Sequence, residues 1–334
     1  HELADKVWTI IENSAAYGFN SAHAYCMAID SVTIAYLKAH YPLEFYKCVL
    51  QRFTDKGEKD KVALIKQEML KRGYKLKDIQ FGDDNRSFNI DRANNCIVQT
   101  MASIKDMPKS APEALYELGK SDIKNRAALY QALMDDPRIN KKAIEILFHL
   151  GYFNKFAQPN RLIAEYEIYQ KYISAKVLTK SSFDDIMIDV IRPCCGKETE
   201  KQFREIDNRA LITALIKQAN IKPTTIVDRI KWQLEYLGYC TVNDPNSDPN
   251  DWLVLDVKTT GYGTVYCTLY NLCYGAERTY RANKKFWTNH QLSKGDVIRA
   301  VLQEKNKMKK DENGEWITLS ETYQEMKVWK KLEV

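Results

Sequence analysis

No apolar run in this chain reaches the roughly 18 to 20 residues that a membrane span requires, and no signal peptide is visible. Paired CxxC spacings are missing as well. The eight cysteines (Cys26, Cys48, Cys96, Cys194, Cys195, Cys240, Cys267 and Cys273) also lack the density of a small secreted scaffold. They therefore read as reduced thiols, and a cytoplasmic protein is expected. Cys194 and Cys195 are adjacent, but no His or further Cys stands at ligand spacing from them, which argues against zinc. Strong charge is absent too. The net charge of +6 is a mild cationic bias that suits an anionic partner such as nucleic acid without requiring one. The chain begins at His1 rather than Met, so a fragment of something longer is expected.

What is present is an apolar content of 45% over 334 residues, enough to bury a core. Two or three domains are expected at roughly 100 to 200 residues each. Val7, Trp8, Ile11 and Ala15 recur at helical spacing, as do Tyr25, Ile29, Val32, Tyr36 and Leu37. Between these two helices lies a short polar loop, YGFNSAHAY from Tyr17 to Tyr25. Pro42 suits the first turn of a third helix, running to about Phe53, because its missing N–H has no partner to lose there. A fourth helix, Lys61 to Lys71, ends at Gly73. Phe81 to Val98 is rich in turn residues and predicts short strands or loop, whereas Glu113 to Gln233 predicts helices broken at its prolines and Gly151.

The composition changes at NDPNSDPND, Asn243 to Asp251, the clearest domain boundary. Beyond it, alternation at Leu253 to Val257 and Val265 to Tyr270, with strands at Val297 to Leu302 and Ile317 to Leu319, predicts a small β domain. A helical turn near Lys284 to His290 fits between them, and the whole suits a five-stranded OB-type barrel. The fold class is thus mainly α followed by a small β domain. Tyr266 and Tyr270 offer rings for base stacking, with Arg278, Arg281, Lys284 and Lys285 as cations for phosphate. The plainer account is that tyrosines suit a half-exposed strand and the basic residues keep it soluble.

WTIIENSAAYGFNSAHAYCMAIDSVTIAYLKAHYPLEFYKCVL resembles the fingers segment of the bacterial replicative DNA polymerase III alpha subunits, the C-family polymerases. KRGYKLKDIQFGDDNRSFNID is similar to the segment after the fingers, IVQTMASIKDMPKSAPEAL occupies the place of a helix-hairpin-helix, and KKAIEILFHLGYFNKF is similar to that module's closing helix. IKWQLEYLGY is similar to the helix before the OB domain, and Asp251 to Val334 to that domain itself. The resemblance implies fingers over residues 1–80, a helix-hairpin-helix module over 81–160, a helical linker region over 161–245 and an OB domain over 246–334. It implies template-directed deoxynucleotidyl transfer, with primer-template DNA and a deoxynucleoside triphosphate as partners.

The Mg²⁺ such transfer needs is held in this family by palm aspartates that precede the fingers, so the segment alone is expected to be inactive. Asp184, Asp185 and Asp189 form the best acidic cluster here and read as an acidic helix start. Asn20, Ser21 and His23 are the implied nucleotide contacts, with Ser21 standing where the family has Lys; a simple helix cap at Asn20 or Ser21 is the alternative. Lys38 and His40 either border the same surface or form a solvated helix face.

The family's Gly-apolar-Gly hairpin is replaced by Asp106-Met107-Pro108, which predicts a weak phosphate grip supplemented only by Lys105 and Lys109. No stretch of residues 163–243 matches well the peptide by which the family binds a sliding clamp, so clamp binding is not expected from it and a divergent or viral polymerase is the reading. A non-enzymatic single-stranded DNA-binding accessory protein of replication or repair is the competing reading.

Overall fold

In the computed structural model the backbone is described for residues 1–16, 21–310 and 315–332. It divides into two compact units, one of residues 1–78 with 87–100 and the other of 79–86 with 101–334.

The first unit opens with helices α1 (Glu2–Ala16) and α2 (Ser21–His40), whose described apolar side chains all face solvent. Helix α3 (Pro42–Asp55) does have Pro42 in its first turn, and it buries Leu43, Tyr46 and Leu50, one stripe at helical spacing. Helix α4 (Lys59–Lys71) meets that stripe with Val62, Lys66 and Met69. Gly73 follows at φ +86°, the left-handed conformation that turns the chain out of the helix. Strands β1 (Lys75–Lys77), β2 (Asn89–Asp91) and β3 (Cys96–Val98) form a small sheet with β3 in the centre. Phe88 and Ile97 carry this sheet into the α3–α4 core.

Lys66 is fully buried in that core. Its ammonium donates to Gln99 Oε1 at 2.8 Å, and Gln99 Nε2 donates to Asp78 Oδ1 at 3.2 Å. Burial pulls the lysine down to about 7, and the Asp78 carboxylate only partly offsets this.

The second unit is built first from α5 (Ala111–Lys120), α6 (Arg126–Asp135), α7 (Lys141–His149) and α8 (Pro159–Tyr172). Leu115, Leu129, Leu147, Phe148, Phe153 and Leu162 are its main core. Asn125 and Asn140 cap α6 and α7, each accepting the N–H three residues on. The buried Glu165 ties α8 to α6 by accepting from Arg126, Arg161 and the Tyr130 hydroxyl.

The helical expectation for Glu113 to Gln233 fails between residues 177 and 206. There β4 (Val177–Thr179), helix α9 (Asp185–Ile191), β5 (Cys195–Glu198) and β6 (Gln202–Ile206) lie in sequence, and the strands form a sheet ordered β4-β6-β5. Each strand is three to five residues long, too short to display a period, and the sheet is anchored through Leu178, Cys194 and Phe203. Helix α10 (Asn208–Gln218) then returns to the helical core, and α11 (Ile226–Leu237) leads to the β region. Thr225 and Asp228 form a reciprocal capping box at the start of α11, and Gly238 ends it at φ +74°.

Past the Asn243–Asp251 boundary come β7 (Asp251–Thr259), β8 (Val265–Asn271), β9 (Glu277–Ala282), the one-turn helix α12 (Lys284–Trp287), β10 (Val297–Lys310) and β11 (Trp316–Lys331). The five strands close as a barrel in the order β7-β8-β9-β11-β10 and back to β7. Only β9 and β11 run parallel within it. Val254, Cys267, Leu269, Tyr280, Ile298, Ala300 and Met326 fill the interior. Outside, Val227 and Ile230 of α11 pack on Leu253, Tyr270, Leu272 and Val297. Strands β10 and β11 extend well beyond the barrel as a two-stranded arm, longer than the short strands that periodicity predicts. Its first strand is charged and polar from Gln303 to Lys307, and its second sets Trp316, Ile317 and Leu319 among polar neighbours.

Candidate nucleic-acid interface

On β8, alternate residues enter the barrel, so Cys267 and Leu269 are buried while Tyr266 and Thr268 turn outward. The register sets Tyr266 directly opposite Arg281 and Thr268 opposite Thr279, whose hydroxyls are 3.0 Å apart. The β10–β11 arm rises beside this outer face. Together they border an open cleft of about 970 Å³, lined by Tyr266, Thr279 and Arg281 from the sheet and by Lys305, Lys307, Met308, Trp316, Thr318 and Tyr323 from the arm. The Arg281 guanidinium lies 5.2 Å from the centre of the Tyr323 ring.

The cleft is less basic than its residues suggest. Lys305 is paired with Glu325, a buried carboxylate that also accepts from Gln303 Nε2 at 2.6 Å. Burial pushes that carboxyl up, but Lys305 and Gln303 outweigh burial and hold it below its ordinary range. Lys307 pairs with Glu321 at 2.7 Å and is raised by that hydrogen bond.

Two of the expected residues, Tyr266 and Arg281, thus meet in one cleft. Tyr270 does not join them, a correction to the reading of both tyrosines as exposed rings. It shares the outer face of β8, yet α11 and the segment before the barrel cover that end, leaving it 2% exposed with its hydroxyl donating to the Val242 carbonyl at 2.7 Å. Burial pushes the phenol up. Arg278, Lys284 and Lys285 are exposed but lie outside the cleft. Trp316, Tyr323, Lys305 and Lys307 were not singled out by the sequence reading. The signal available was aromatic residues set among alternating charges after Val297, and it gains meaning only when the arm folds back beside β8.

In the hairpin region Asp106 adopts φ +60°, a left-handed conformation. The neighbouring Lys105 N–H donates to the Tyr236 carbonyl of α11 at 3.0 Å, and Met107 is buried, so the turn's backbone is engaged internally. The Lys105 and Lys109 side chains remain exposed.

Of the three expected nucleotide contacts, Asn20 and the Ser21 side chain lie outside the described residues; His23 is exposed in the first turn of α2. Lys38 is turned to structure, pairing with Glu68 at 2.7 Å and lying over the Phe45 and Tyr46 rings. The His40 ring packs at a tilt against Tyr36, with centroids 4.2 Å apart. Asp184 accepts the Met187 N–H at 2.8 Å as the cap of α9, and Asp189 pairs with Arg192. Among the described residues no three His, Cys, Asp or Glu side chains converge as metal ligands. Among those residues, too, no helix is long and apolar enough to cross a membrane.

No model of a known protein family matches the chain. Roughly half of it is nevertheless similar to curated DNA polymerase III alpha subunits. That of Vibrio cholerae is 30% identical over 166 residues, 48% of this chain and 14% of the relative. That of Thermus aquaticus is 29% identical over 173 residues, 50% of this chain and 13% of the relative. The Campylobacter jejuni subunit is 28% identical over 155 residues, 46% of this chain and 13% of the relative. The resemblance to DNA polymerase III alpha subunits therefore holds, and the matched stretch spans about an eighth to a seventh of these relatives' length.

Proposed function

We propose that the chain is a DNA-binding and nucleotide-contacting part of a replicative DNA-directed DNA polymerase. Residues 1–80 would serve in the fingers, 81–160 as a helix-hairpin-helix module, 161–245 as the connection and 246–334 as an OB-type domain. The barrel order, with a helix between its third and fourth strands, supports the last assignment. OB folds take oligonucleotides on the face of strands 2 and 3, bordered by the loop between strands 4 and 5. Here that face is β8–β9 and that loop is the β10–β11 arm. The observation that carries the reading is the cross-strand pair of Tyr266 and Arg281 facing the aromatic arm. A ring, a guanidinium and an open cleft suit a single DNA strand, whose bases are free to stack.

The Mg²⁺ of phosphoryl transfer would be held by carboxylates outside this chain, which would be inactive alone. The chain's own contribution is to hold DNA at the cleft and to present His23, with Asn20 and Ser21, as donors to an incoming nucleotide. The hairpin turn would add only diffuse contacts from Lys105 and Lys109, because the Lys105 N–H serves Tyr236 and Pro108 has none to give.

The test is anisotropy of a labelled single-stranded oligodeoxynucleotide with the full chain. The double variant Tyr266→Ala/Arg281→Gln should weaken binding tenfold or more. Unchanged affinity would overturn the cleft assignment. The alternative accessory protein shares the cleft but has no use for a nucleotide, so primer extension by the intact gene product that disappears with His23→Ala excludes it.

A further inference from the structure

We infer that the cleft holds its strand by stacking on rings, with a single cation for phosphate, and that Lys305 and Lys307 serve as ion-pair partners within the arm rather than as phosphate contacts. The inference rests on the single-strand reading of the same cleft and concerns how the strand is recognised. Tyr266 of β8 and Trp316 and Tyr323 of β11 face one opening. Trp316 is 62% exposed and Tyr266 is 40% exposed, so both rings are accessible to a base.

Three cations line the same opening. Glu325, set beneath the cleft and buried, holds Lys305; Glu321 holds Lys307 across the arm. The Lys307 pair is exposed and opens easily, but its carboxylate stays within reach of any phosphate that takes its place. The local field is therefore that of about one positive charge. Among the described residues Arg281 is the cleft's cation without an ion pair, and its place over Tyr323 sets it level with the rings.

Counterion release gives a slope of ~0.7 in log affinity against log salt for each phosphate neutralised on a single strand. The cleft should thus contribute a slope near one phosphate, where three unpaired cations would contribute about three times as much. Its affinity should come from sequence-tolerant stacking, which salt leaves nearly unchanged.

The experiment measures binding of labelled oligothymidylate to the full 334-residue chain from roughly 50 to 200 mM salt, comparing variants so that other basic surfaces cancel. Tyr266→Ala and Trp316→Ala should each weaken binding about ten- to a hundredfold at every salt concentration without changing the slope, and Tyr266→Phe should restore it. Arg281→Gln should lower the slope by ~0.7. Removing the pair together, Lys307→Gln with Glu321→Gln, should leave the slope where it was. A slope lowered by ~0.7 in that paired variant, or ring variants that bind as tightly as the parent, would overturn the stacking inference while nucleic-acid binding stands. Absence of binding at any salt concentration would remove both the inference and the function it rests on.

Discussion

The α1–α2 helices and the C-terminal barrel use the same kinds of apolar residue in opposite ways. In the barrel, Leu269, Ile298 and Met326 are wholly buried, whereas Trp8, Ile10, Val32 and Tyr25 stand more than half exposed. The first pair of elements is therefore held by helix propensity and local hydrogen bonds, and the second by burial that is worth ~1.5 to 3 kcal/mol for each large side chain. Apolar periodicity announces an element in both settings, helices in one and strands in the other. It does not say whether the stripe will meet a core.

The sharpest way to break the comparison is to remove the burial. Leu269→Ala should destabilise the barrel by ~2 to 5 kcal/mol, read as faster amide exchange across β7 to β11 with α1 and α2 unaffected. Equal loss of protection in both regions would show that the helices depend on the barrel's order.

A second perturbation acts through Lys66 and separates the α3–α4 core from both. Its folded value, about 7, lies below the ordinary 10.5, so between those values the unfolded chain binds more protons than the folded one. Stability of the first unit should accordingly rise as pH climbs from about 7 toward 10.5, because the cost of burying the charge disappears when the native lysine gives up its proton. Lys66→Met should flatten that rise relative to the parent protein in urea midpoints taken across the range. A parallel dependence in the two proteins would mean that Lys66 is not the group responsible.

The smallest effect is expected at Val32→Ala. This site is 69% exposed, and a change within ~0.5 kcal/mol is expected from exchange protection in α2. A loss comparable to that at Leu269 would show that the α2 stripe is covered in solution.

Much of the fold is legible where chemistry is local. Pro42 and Gly73 each act at their own position in the backbone, and the Asn243–Asp251 stretch has no apolar residue to bury. The strands from Val177 to Ile206 were hidden because three to five residues cannot establish a period, and their partners are up to 27 residues away. The extent of β10 and β11 was hidden for another reason. From Gln303 to Lys310 and from Ser320 to Gln324 the arm has no apolar alternation to display, so Lys305, Lys307 and Tyr323 look like solvated surface until the fold sets them beside Tyr266. The cleft was half legible: alternation on β8 identifies Tyr266 as outward, but it identifies Tyr270 as outward too, and only the packing of α11 distinguishes them.

Asp106 has a bearing on how this protein could be re-engineered. Its φ of +60° is already the geometry in which glycine is most at ease, so Asp106→Gly would ask for no change in the path of the chain. Shape is not what separates this turn from a phosphate-gripping one. The obstacle is the shortage of uncommitted donors: the Lys105 N–H would have to abandon Tyr236, and residue 108 would have to stop being proline. A designer seeking to give the turn a hold on DNA would begin by unfastening it from α11, and would leave its curvature alone.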